Sequence, residues 1–178
     1  MKKLRLAAIG AAAALTLAAC GSAPSDSGSS ASPAASGSSD FLACMVSDAG
    51  GIDDRSFNAS AYKGVQDAVA KFGIQEKFLE SKSQTDYAPN INSLVSDNCG
   101  LIITVGFLME DATKEAATSN PEEKFAIVDA ASDPEIANMK GLVFNTAQSS
   151  FMAGYLAAGM SKTGKVATYG GLAIPSVT

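Results

Sequence analysis

The sequence contains no histidine and no tryptophan among its 178 residues. Without histidine, the chain cannot itself supply a Ser-His-Asp triad, a Cys-His pair, a histidine-ligated zinc site or an imidazole general base. Basic residues are also few, since 13 Lys and Arg oppose 18 Asp and Glu and leave a formal net charge of −5. This balance argues against a nucleic-acid partner, which requires a basic face. The remaining composition, 47% hydrophobic and 17% charged, is typical of a globular protein.

The first twenty residues have the pattern of a bacterial secretion signal. Basic residues at positions 2, 3 and 5 precede an apolar stretch, residues 6–17, which is too short to span a bilayer. Leu17-Ala-Ala-Cys20 then resembles a lipobox, where a signal peptide is cleaved and the cysteine is acylated. We expect residues 1–19 to be a signal peptide and Cys20 to carry the lipid anchor. The alternative is an ordinary secretory signal that contains a cysteine by chance.

A serine-rich segment follows the predicted lipidation site. Residues 21–39 contain nine serines and almost no apolar side chains larger than alanine. Such a composition cannot bury enough apolar surface to offset the entropy lost on ordering. Residues 20–39 therefore predict a flexible tether that holds a folded domain, beginning near Asp40, close to the membrane. The alternative is that the serine-rich stretch packs into that domain.

From residue 40 onward, short apolar segments that indicate strands alternate with segments that have helical spacing. The predicted strands cover residues 41–46, 77–79, 101–105, 125–128, 141–144 and 165–169, and the predicted helices cover residues 57–72, 87–97, 108–119 and 148–160. Apolar strands separated by helices predict an α/β fold with a doubly wound parallel sheet. In such sheets, ligands bind beyond the carboxyl ends of the strands.

Polar or glycine-containing segments follow the predicted strands at that edge. They are Ser47-Asp48 after the first strand, Gly106-Phe107 after the third, Asp129 after the fourth and Asn145-Thr146 after the fifth. Two interpretations stay open at each position. The side chains either contribute to a ligand site or are polar because strand ends meet water.

The loop from Asp48 to Asn58 joins the first strand to the first helix and carries the richest chemistry. Its two glycines match neither the G-x-G-x-x-G nor the Walker spacing, and Asp48, Asp53 and Asp54 would repel a phosphate. Carboxylates instead suit a neutral polyol, because they accept strong hydrogen bonds from hydroxyl groups. The loop therefore predicts a neutral, hydroxyl-bearing ligand.

Two further side chains at the end of this loop suit a nucleobase or a sugar. Phe57 offers an aromatic face, and the amide of Asn58 can both donate and accept hydrogen bonds. The structural alternative is that Phe57 is the first core residue of its helix. Ser56 would then be the N-cap, and the neighbouring aspartates would complement the helix dipole.

This loop and four further segments of the sequence resemble the corresponding segments of the basic membrane protein family. The four further segments are Val105-Gly-Phe107, Phe125-Ala-Ile-Val-Asp129, Gln148-Ser-Ser-Phe-Met-Ala-Gly-Tyr-Leu-Ala157 and Gly170-Gly-Leu-Ala-Ile-Pro175. The family consists of bacterial lipoproteins, the PnrA-like substrate-binding proteins of ABC transporters that take up nucleosides. The resemblance spans residues 41–178. It implies two α/β lobes that close over a nucleoside, with residues 40–145 as the first lobe and residues 146–178 as the start of a truncated second lobe.

The resemblance also implies a set of ligand-binding residues in the first lobe: Asp48, Phe57, Asn58, Asp129, Gly106 and Phe107. In this assignment the carboxylate of Asp48 hydrogen-bonds the ligand, Phe57 stacks on the base and Asn58 contacts the base. Asp129 would meet the ribose, and the remaining two would shape the pocket floor. The contacts of the second lobe have no counterpart in this sequence, so we expect it to be a fragment of a chain about twice as long.

These observations predict a non-enzymatic, lipid-anchored nucleoside-binding protein on the extracytoplasmic face of the cell membrane, which delivers its ligand to an ABC permease without a cofactor or metal. A binding protein for simple sugars and a surface nucleoside sensor are alternatives. A metal-dependent enzyme built on Asp48, Asp53 and Asp54 is a further alternative. Against it, the spacing of these three residues does not reproduce the D-x-[DN]-x-[DN]-G pattern of calcium loops.

Two cysteines remain after Cys20. Cys44 lies inside the first predicted strand and Cys99 lies just before the third. In a doubly wound sheet ordered 2-1-3 those strands are neighbours, and disulfides persist outside the cytoplasm. We predict a Cys44–Cys99 disulfide, with two buried free thiols as the alternative.

Overall fold

A five-stranded parallel sheet organises the part of the chain that our computed structural model describes, residues 40–174 and residue 177. The strands are β1 (Leu42–Ser47), β2 (Gln75–Glu80), β3 (Leu101–Val105), β4 (Phe125–Val128) and β5 (Met139–Leu142). They lie in the order β2-β1-β3-β4-β5, and every neighbouring pair is parallel. This topology confirms the predicted α/β fold. The predicted signal peptide, Cys20 and the serine-rich tether lie outside the described residues.

The helices of this region follow strands in the chain, as a parallel sheet requires. They are α1 (Phe57–Phe72), α2 (Tyr87–Ser96), α3 (Glu110–Ser119) and α4 (Thr146–Met160), and short 3₁₀ turns cover Gln84–Asp86 and Phe107–Met109. The first helix has the predicted bounds. It ends because Gly73 adopts a left-handed conformation, with a φ of 66°, and donates its N–H to the carbonyl of Val69.

Helices cover both faces of the sheet, because side chains alternate along each strand. On one face, Cys44 and Val46 of β1 pack in a buried cluster with residues of α2 and α3. On the other face, Ala43 and Met45 pack in a second cluster with Val65 of α1. Full burial of a side chain such as Met45 stabilises the fold by about 1.5–3 kcal/mol. The interior strand β1 therefore packs against a helical layer on each face.

The fifth strand lies two residues earlier than the apolar run Gly141–Phe144 predicts. The ladder with β4 pairs Phe125 with Met139 and Val128 with Leu142, so the pairing ends at Leu142. Apolar character alone cannot fix this register, which depends on the neighbouring strand. As a result Val143 and Phe144 lie beyond the sheet, and both side chains are exposed.

The predicted sixth strand is wrong. Residues 165–169 have no regular secondary structure. A strand needs a neighbour to accept and donate its backbone hydrogen bonds, and no strand within residues 40–174 pairs with this segment. The sequence pattern of residues 165–169 fits a strand, but a strand does not form because no neighbouring strand pairs with it in the described residues.

The helix α4 contributes no buried residue to the described structure. Its exposed large apolar side chains are Phe151, Met152, Tyr155, Leu156 and Met160. The aromatic rings of Phe151 and Tyr155 stack on each other, with their centroids 6.4 Å apart. Within the described ranges, no helix is long and apolar enough to cross a membrane.

A disulfide joins Cys44 of β1 to Cys99, which precedes β3. The two Cα atoms lie 5.9 Å apart, and both residues are buried between the sheet and the layer formed by α2 and α3. The bond closes a loop over a sequence separation of 55 residues. The bond therefore links β1 to the segment that leads into its neighbour β3.

We expect this disulfide to be present in the protein isolated without reductant and to stabilise it by about 4 kcal/mol in the chain-entropy description. Alkylation of the denatured, unreduced protein followed by mass spectrometry should find neither Cys44 nor Cys99 labelled, and labelling should appear after reduction. The variant Cys44→Ala/Cys99→Ala should melt at a lower temperature than the oxidised protein. Two labelled thiols without reductant would contradict the bond.

Candidate functional site

The carboxyl ends of all five strands lie at one edge of the sheet, because every neighbouring pair is parallel. The connection after β1 leads to β2 on one side, whereas the next connection leads to β3 on the other, so the strand order reverses between β1 and β3. Ligands of open α/β sheets bind in the crevice at such a reversal. Asp48 follows β1 there, and Gly106 follows β3. The order of the strands therefore brings two predicted site residues together.

Gly106 lies directly against the carboxylate of Asp48. A Cβ atom added at position 106 would lie 2.8 Å from Asp48 Oδ2, which is closer than van der Waals contact permits. The backbone of Gly106 also has a φ of 107°, a conformation that favours glycine. Its N–H donates to the carbonyl of Val128 at 3.0 Å, which fixes it to the end of β4. The absence of a side chain at Gly106 therefore makes room for the carboxylate of Asp48.

The other carboxylate oxygen of Asp48 is held by the loop and by α1. Asp48 Oδ1 accepts a hydrogen bond from the backbone N–H of Gly50 at 2.9 Å and from Asn58 Nδ2 at 2.7 Å. Asn58 is only 3% exposed, and its Oδ1 is buried without a hydrogen-bond partner among the described residues. The predicted pair Asp48 and Asn58 is therefore in direct contact, with the carboxylate oriented by the amide.

Asp54 has a different role from Asp48, because it caps α1. Its carboxylate accepts hydrogen bonds from the backbone N–H groups of Ser56 at 2.8 Å, Asn58 at 2.9 Å and Ala59 at 3.0 Å. The side chain of Ser56, which the sequence offered as the N-cap, makes no capping bond. Burial alone raises the pKa of Asp54, but these N–H groups outweigh burial and hold the pKa below its usual value of 3.8. Both oxygens of Asp54 are thus used by the start of the helix.

Phe57 is the first residue of α1 and is 42% exposed, outside both buried clusters. Its ring lies next to that of Phe144, with centroids 5.5 Å apart and planes at 58°. The two phenylalanines line a shallow cleft of about 310 Å³ together with Ser56 and Ser60. The sequence left open whether Phe57 stacks on a ligand or belongs to the core. The structure places its ring at the surface and not in the core.

The remaining predicted residues line a neighbouring cleft of about 340 Å³ at the ends of β3, β4 and β5. Its walls are formed by Phe107, Glu110, Asp129, Ala130, Ala131, Val143, Phe144 and Thr146. The backbone of Asp129 has a φ of 68°, and its N–H donates to the carbonyl of Leu142 at 2.9 Å. Phe107 and Asp129 are thus brought to one cleft, while Asp48 and Asn58 lie at the end of β1.

Among the lining residues that the sequence did not indicate, two carry an aromatic ring or a carboxylate that a ligand could contact. Phe144 lines both clefts, and it was assigned to the predicted fifth strand. Phe144 could have been identified from its position, because it is the last residue of the predicted strand and the other candidate residues also lie at strand ends. Glu110 begins α3 and forms an ion pair with Lys114. The hydrogen bond from Lys114 to the Glu110 carboxylate raises the pKa of Lys114. No sequence motif marked Glu110.

The acidic residues of the loop do not form a metal site in the described structure. Among residues 40–174 and 177, no group of three or more His, Cys, Asp or Glu side chains is placed to hold a metal ion. Asp48 and Asp54 are instead engaged by amide and backbone N–H groups. This edge of the sheet therefore presents the Asp48 carboxylate after β1, the exposed rings of Phe57 and Phe144, and Asp129 after β4.

Comparison with known proteins finds one family over the folded region. Residues 41–178 match the Bmp family, PnrA-like substrate-binding proteins of ABC transporters. The CD4+ T-cell-stimulating antigen of Listeria innocua serovar 6a is 36% identical over 167 residues, which cover 90% of this chain and 45% of that protein. The ABC transporter nucleoside-binding protein BmpA of Lactococcus lactis subsp. cremoris is 36% identical over 143 residues, covering 78% of this chain and 40% of that protein. The chain thus spans less than half the length of these curated relatives.

A solved structure has the same arrangement of elements. It is an ABC transporter system solute-binding protein from Aeropyrum pernix K1, with a TM-score of 0.62 and 28% sequence identity. The similarity covers 66% of this chain and 32% of that protein. The family match and this structural similarity together confirm the resemblance that the sequence motifs indicated.

The capping role of Asp54 predicts a pH-dependent effect on stability. Because its pKa is lowered on folding, Asp54 stabilises the protein above the unfolded-state pKa, and this contribution disappears as the pH falls through the folded-state pKa. We expect Asp54→Ala to reduce the free energy of unfolding at pH 7 by about 0.5–2 kcal/mol, the usual cost of losing a helix cap. The difference from the wild type should shrink below pH 3.8.

Thermal unfolding between pH 7 and pH 3 measures this effect. The matched control is Asp53→Ala, since Asp53 is an exposed carboxylate in the same loop. An equal loss of stability in both variants, or a loss for Asp54→Ala that does not depend on pH, would contradict the capping role.

Proposed function

This chain belongs to the family of PnrA-like ABC transporter substrate-binding proteins, and we propose that it binds nucleosides outside the cytoplasm and delivers them to an ABC permease. In this proposal it is not an enzyme and uses neither a cofactor nor a metal. The lipobox at Leu17-Ala-Ala-Cys20 supports attachment to the outer face of the cell membrane through a lipid on Cys20. The serine-rich residues after it would then act as the tether.

The observation that carries the nucleoside proposal is the pairing of oriented acceptors with exposed aromatic surface at one edge of the sheet. Asp48 is fixed by Asn58 at the reversal of strand order, and Asp129 follows β4 at the same edge. Phe57 begins the helix that follows the same loop, and its ring is exposed. A nucleoside combines a flat base, which stacks on an aromatic ring, with a ribose, whose hydroxyl groups donate to carboxylates.

The charge of this edge favours a nucleoside over a nucleotide. Asp48, Asp129 and Glu110 all lie at the carboxyl ends of the strands or just beyond them. An additional phosphate would meet carboxylates at short range, where like charges repel by several kcal/mol if water is excluded. The name of the Lactococcus relative, a nucleoside-binding protein, supports the same ligand class.

We further propose that this chain contains the first lobe of a two-lobed binding protein, residues 40–145, and the start of its second lobe, residues 146–178. The relatives are more than twice as long as the region they share with this chain. The exposed apolar side chains of α4 support a covering element that is not among the described residues. The aromatic rings and carboxylates would then form one side of a cleft that closes from both sides.

The proposed function is tested by thermal-shift measurements on the full-length protein. The panel consists of purine and pyrimidine nucleosides, the free bases, ribose, glucose and inosine 5′-monophosphate. A ligand at 100 times its Kd stabilises the folded state by about 2.7 kcal/mol, which raises the melting temperature measurably. We expect at least one nucleoside to do so, and inosine 5′-monophosphate to be weaker than inosine. A shift with simple sugars alone, or with no nucleoside, would contradict the proposal.

The contribution of Asp48 can be measured separately from the folding of its loop. Asp48→Asn keeps an oxygen that can accept from Gly50 and Asn58, but it removes the charge. Loss of one charge-assisted hydrogen bond should weaken nucleoside binding by about 1.5–3 kcal/mol, with little change in the melting temperature of the unliganded protein. Calorimetric titration with the nucleoside that binds most tightly in the panel measures the affinity.

The control for this experiment is Asp53→Asn, which removes an exposed charge from the same loop. We expect this variant to keep nearly the affinity of the wild type. Equal affinities of Asp48→Asn and the wild type would refute Asp48 as a ligand residue.

A further inference from the structure

Phe144 is an exposed aromatic residue that neither the fold nor the predicted site accounts for. It lies two residues beyond the end of β5, and 53% of its surface is exposed. Its ring contacts that of Phe57, with centroids 5.5 Å apart. The two rings therefore form a contiguous exposed apolar surface, and an apolar patch rimmed by polar residues is a feature of ligand-binding grooves.

The position of Phe144 connects the two clefts at the edge of the sheet. It borders the cleft that contains Asp129 and also the cleft between Phe57 and Ser60. The other residues of the first cleft do not border the second, so Phe144 is the shared wall of these two clefts. A ligand that extends from the aromatic pair toward Asp129 would have to pass this ring.

The backbone on both sides of Phe144 is fixed. On one side, the carbonyl of Leu142 at the end of β5 accepts the N–H of Asp129 at 2.9 Å. On the other side, Asn145 caps α4, because its Oδ1 accepts the N–H of Gln148 at 3.3 Å. A side chain held between the end of a strand and the start of a helix is placed more precisely than one on a free loop.

We propose that Phe144 is a second aromatic ligand-binding residue, which with Phe57 forms a wedge that contacts the flat ring of the ligand. The inference rests on the proposed function for the identity of the ligand. The planes of the two phenylalanine rings are inclined at 58°. A flat heteroaromatic ring that stacks on one of them therefore meets the other at an angle, and both offset-stacked and edge-to-face contacts are favourable. This geometry selects ligands that carry a flat ring over sugars that lack one.

Variants of the full-length protein test this proposal. Phe144→Leu removes the ring but keeps an apolar side chain, and Phe144→Tyr keeps the ring. The matched control is Phe72→Leu, because Phe72 is likewise exposed, at 55%, and lies at the opposite end of α1 from Phe57. The affinities for inosine, uridine, hypoxanthine and ribose are measured by calorimetry, and the melting temperature is measured without ligand.

We expect Phe144→Leu to weaken binding of the ring-containing compounds at least about fivefold, the lower end of the effect of losing one stacking contact. Phe144→Tyr and Phe72→Leu should bind nearly as the wild type does, and the melting temperature without ligand should be unchanged in all three. The combined variant Phe57→Leu/Phe144→Leu should lose less affinity than the two single losses multiplied together, because both rings contact the same ligand ring.

Affinity of Phe144→Leu within twofold of the wild type would overturn the proposal. A lower melting temperature of the unliganded Phe144→Leu protein with unchanged affinity would also overturn it, since that result assigns the ring to packing. If the wild type binds hypoxanthine but no nucleoside, and binding depends on Phe144, the proposed function fails while this inference holds. If the wild type binds none of the ring-containing compounds, both fail.

Discussion

The pairing of β1 with a parallel neighbour on each side is the constraint on which the rest of the described structure depends. β1 contributes side chains to both buried clusters, so a helical layer packs on each face of this strand. Parallel pairing forces every connection to cross from one end of the sheet to the other, and therefore all the carboxyl ends lie at one edge. Asp48, Gly106 and Asp129 are distant in sequence, and this topology alone brings them to that edge. The disulfide from Cys44 to the segment before β3 adds a covalent link to the same pairing.

The acidic loop after β1 shows how similar residues acquire different roles from the N–H groups around them. Asp54 accepts three backbone N–H groups at the start of α1, which lowers its pKa and makes it part of the helix. Asp48 accepts one backbone N–H and one amide N–H through a single oxygen, while its other oxygen lies beside Gly106. The Asp48 carboxylate is therefore oriented without being fully used by the fold. Such an oriented acceptor is what recognition of a hydroxyl or an N–H group requires.

The parts of the fold that the sequence predicted well are those that local physical rules determine. The spacing of apolar residues and the left-handed Gly73 set the bounds of α1, and the short apolar run 125–128 coincides with β4. The register of β5 and the missing strand at 165–169 could not be predicted in this way, because both depend on which strand lies alongside. The error at β5 also hid Phe144, since it was assigned to the strand itself, whereas β5 ends at Leu142. The capping by Asp54 instead of Ser56 depends on the path of the loop, which composition does not define.

The distribution of buried surface separates the residues that maintain the fold from those available to a ligand. Side chains such as Met45 and Ile127 are fully buried, and their contribution to stability is realised on folding. Phe57 and Phe144 keep about half of their surface exposed, so the corresponding apolar area, at about 25 cal/mol per Å², contributes nothing to the unliganded fold. That free energy becomes available when a flat ligand covers the rings. Because the rings are approached from solvent on one side, full burial of such a ligand needs a second covering surface, and a closing lobe of the kind proposed would supply it.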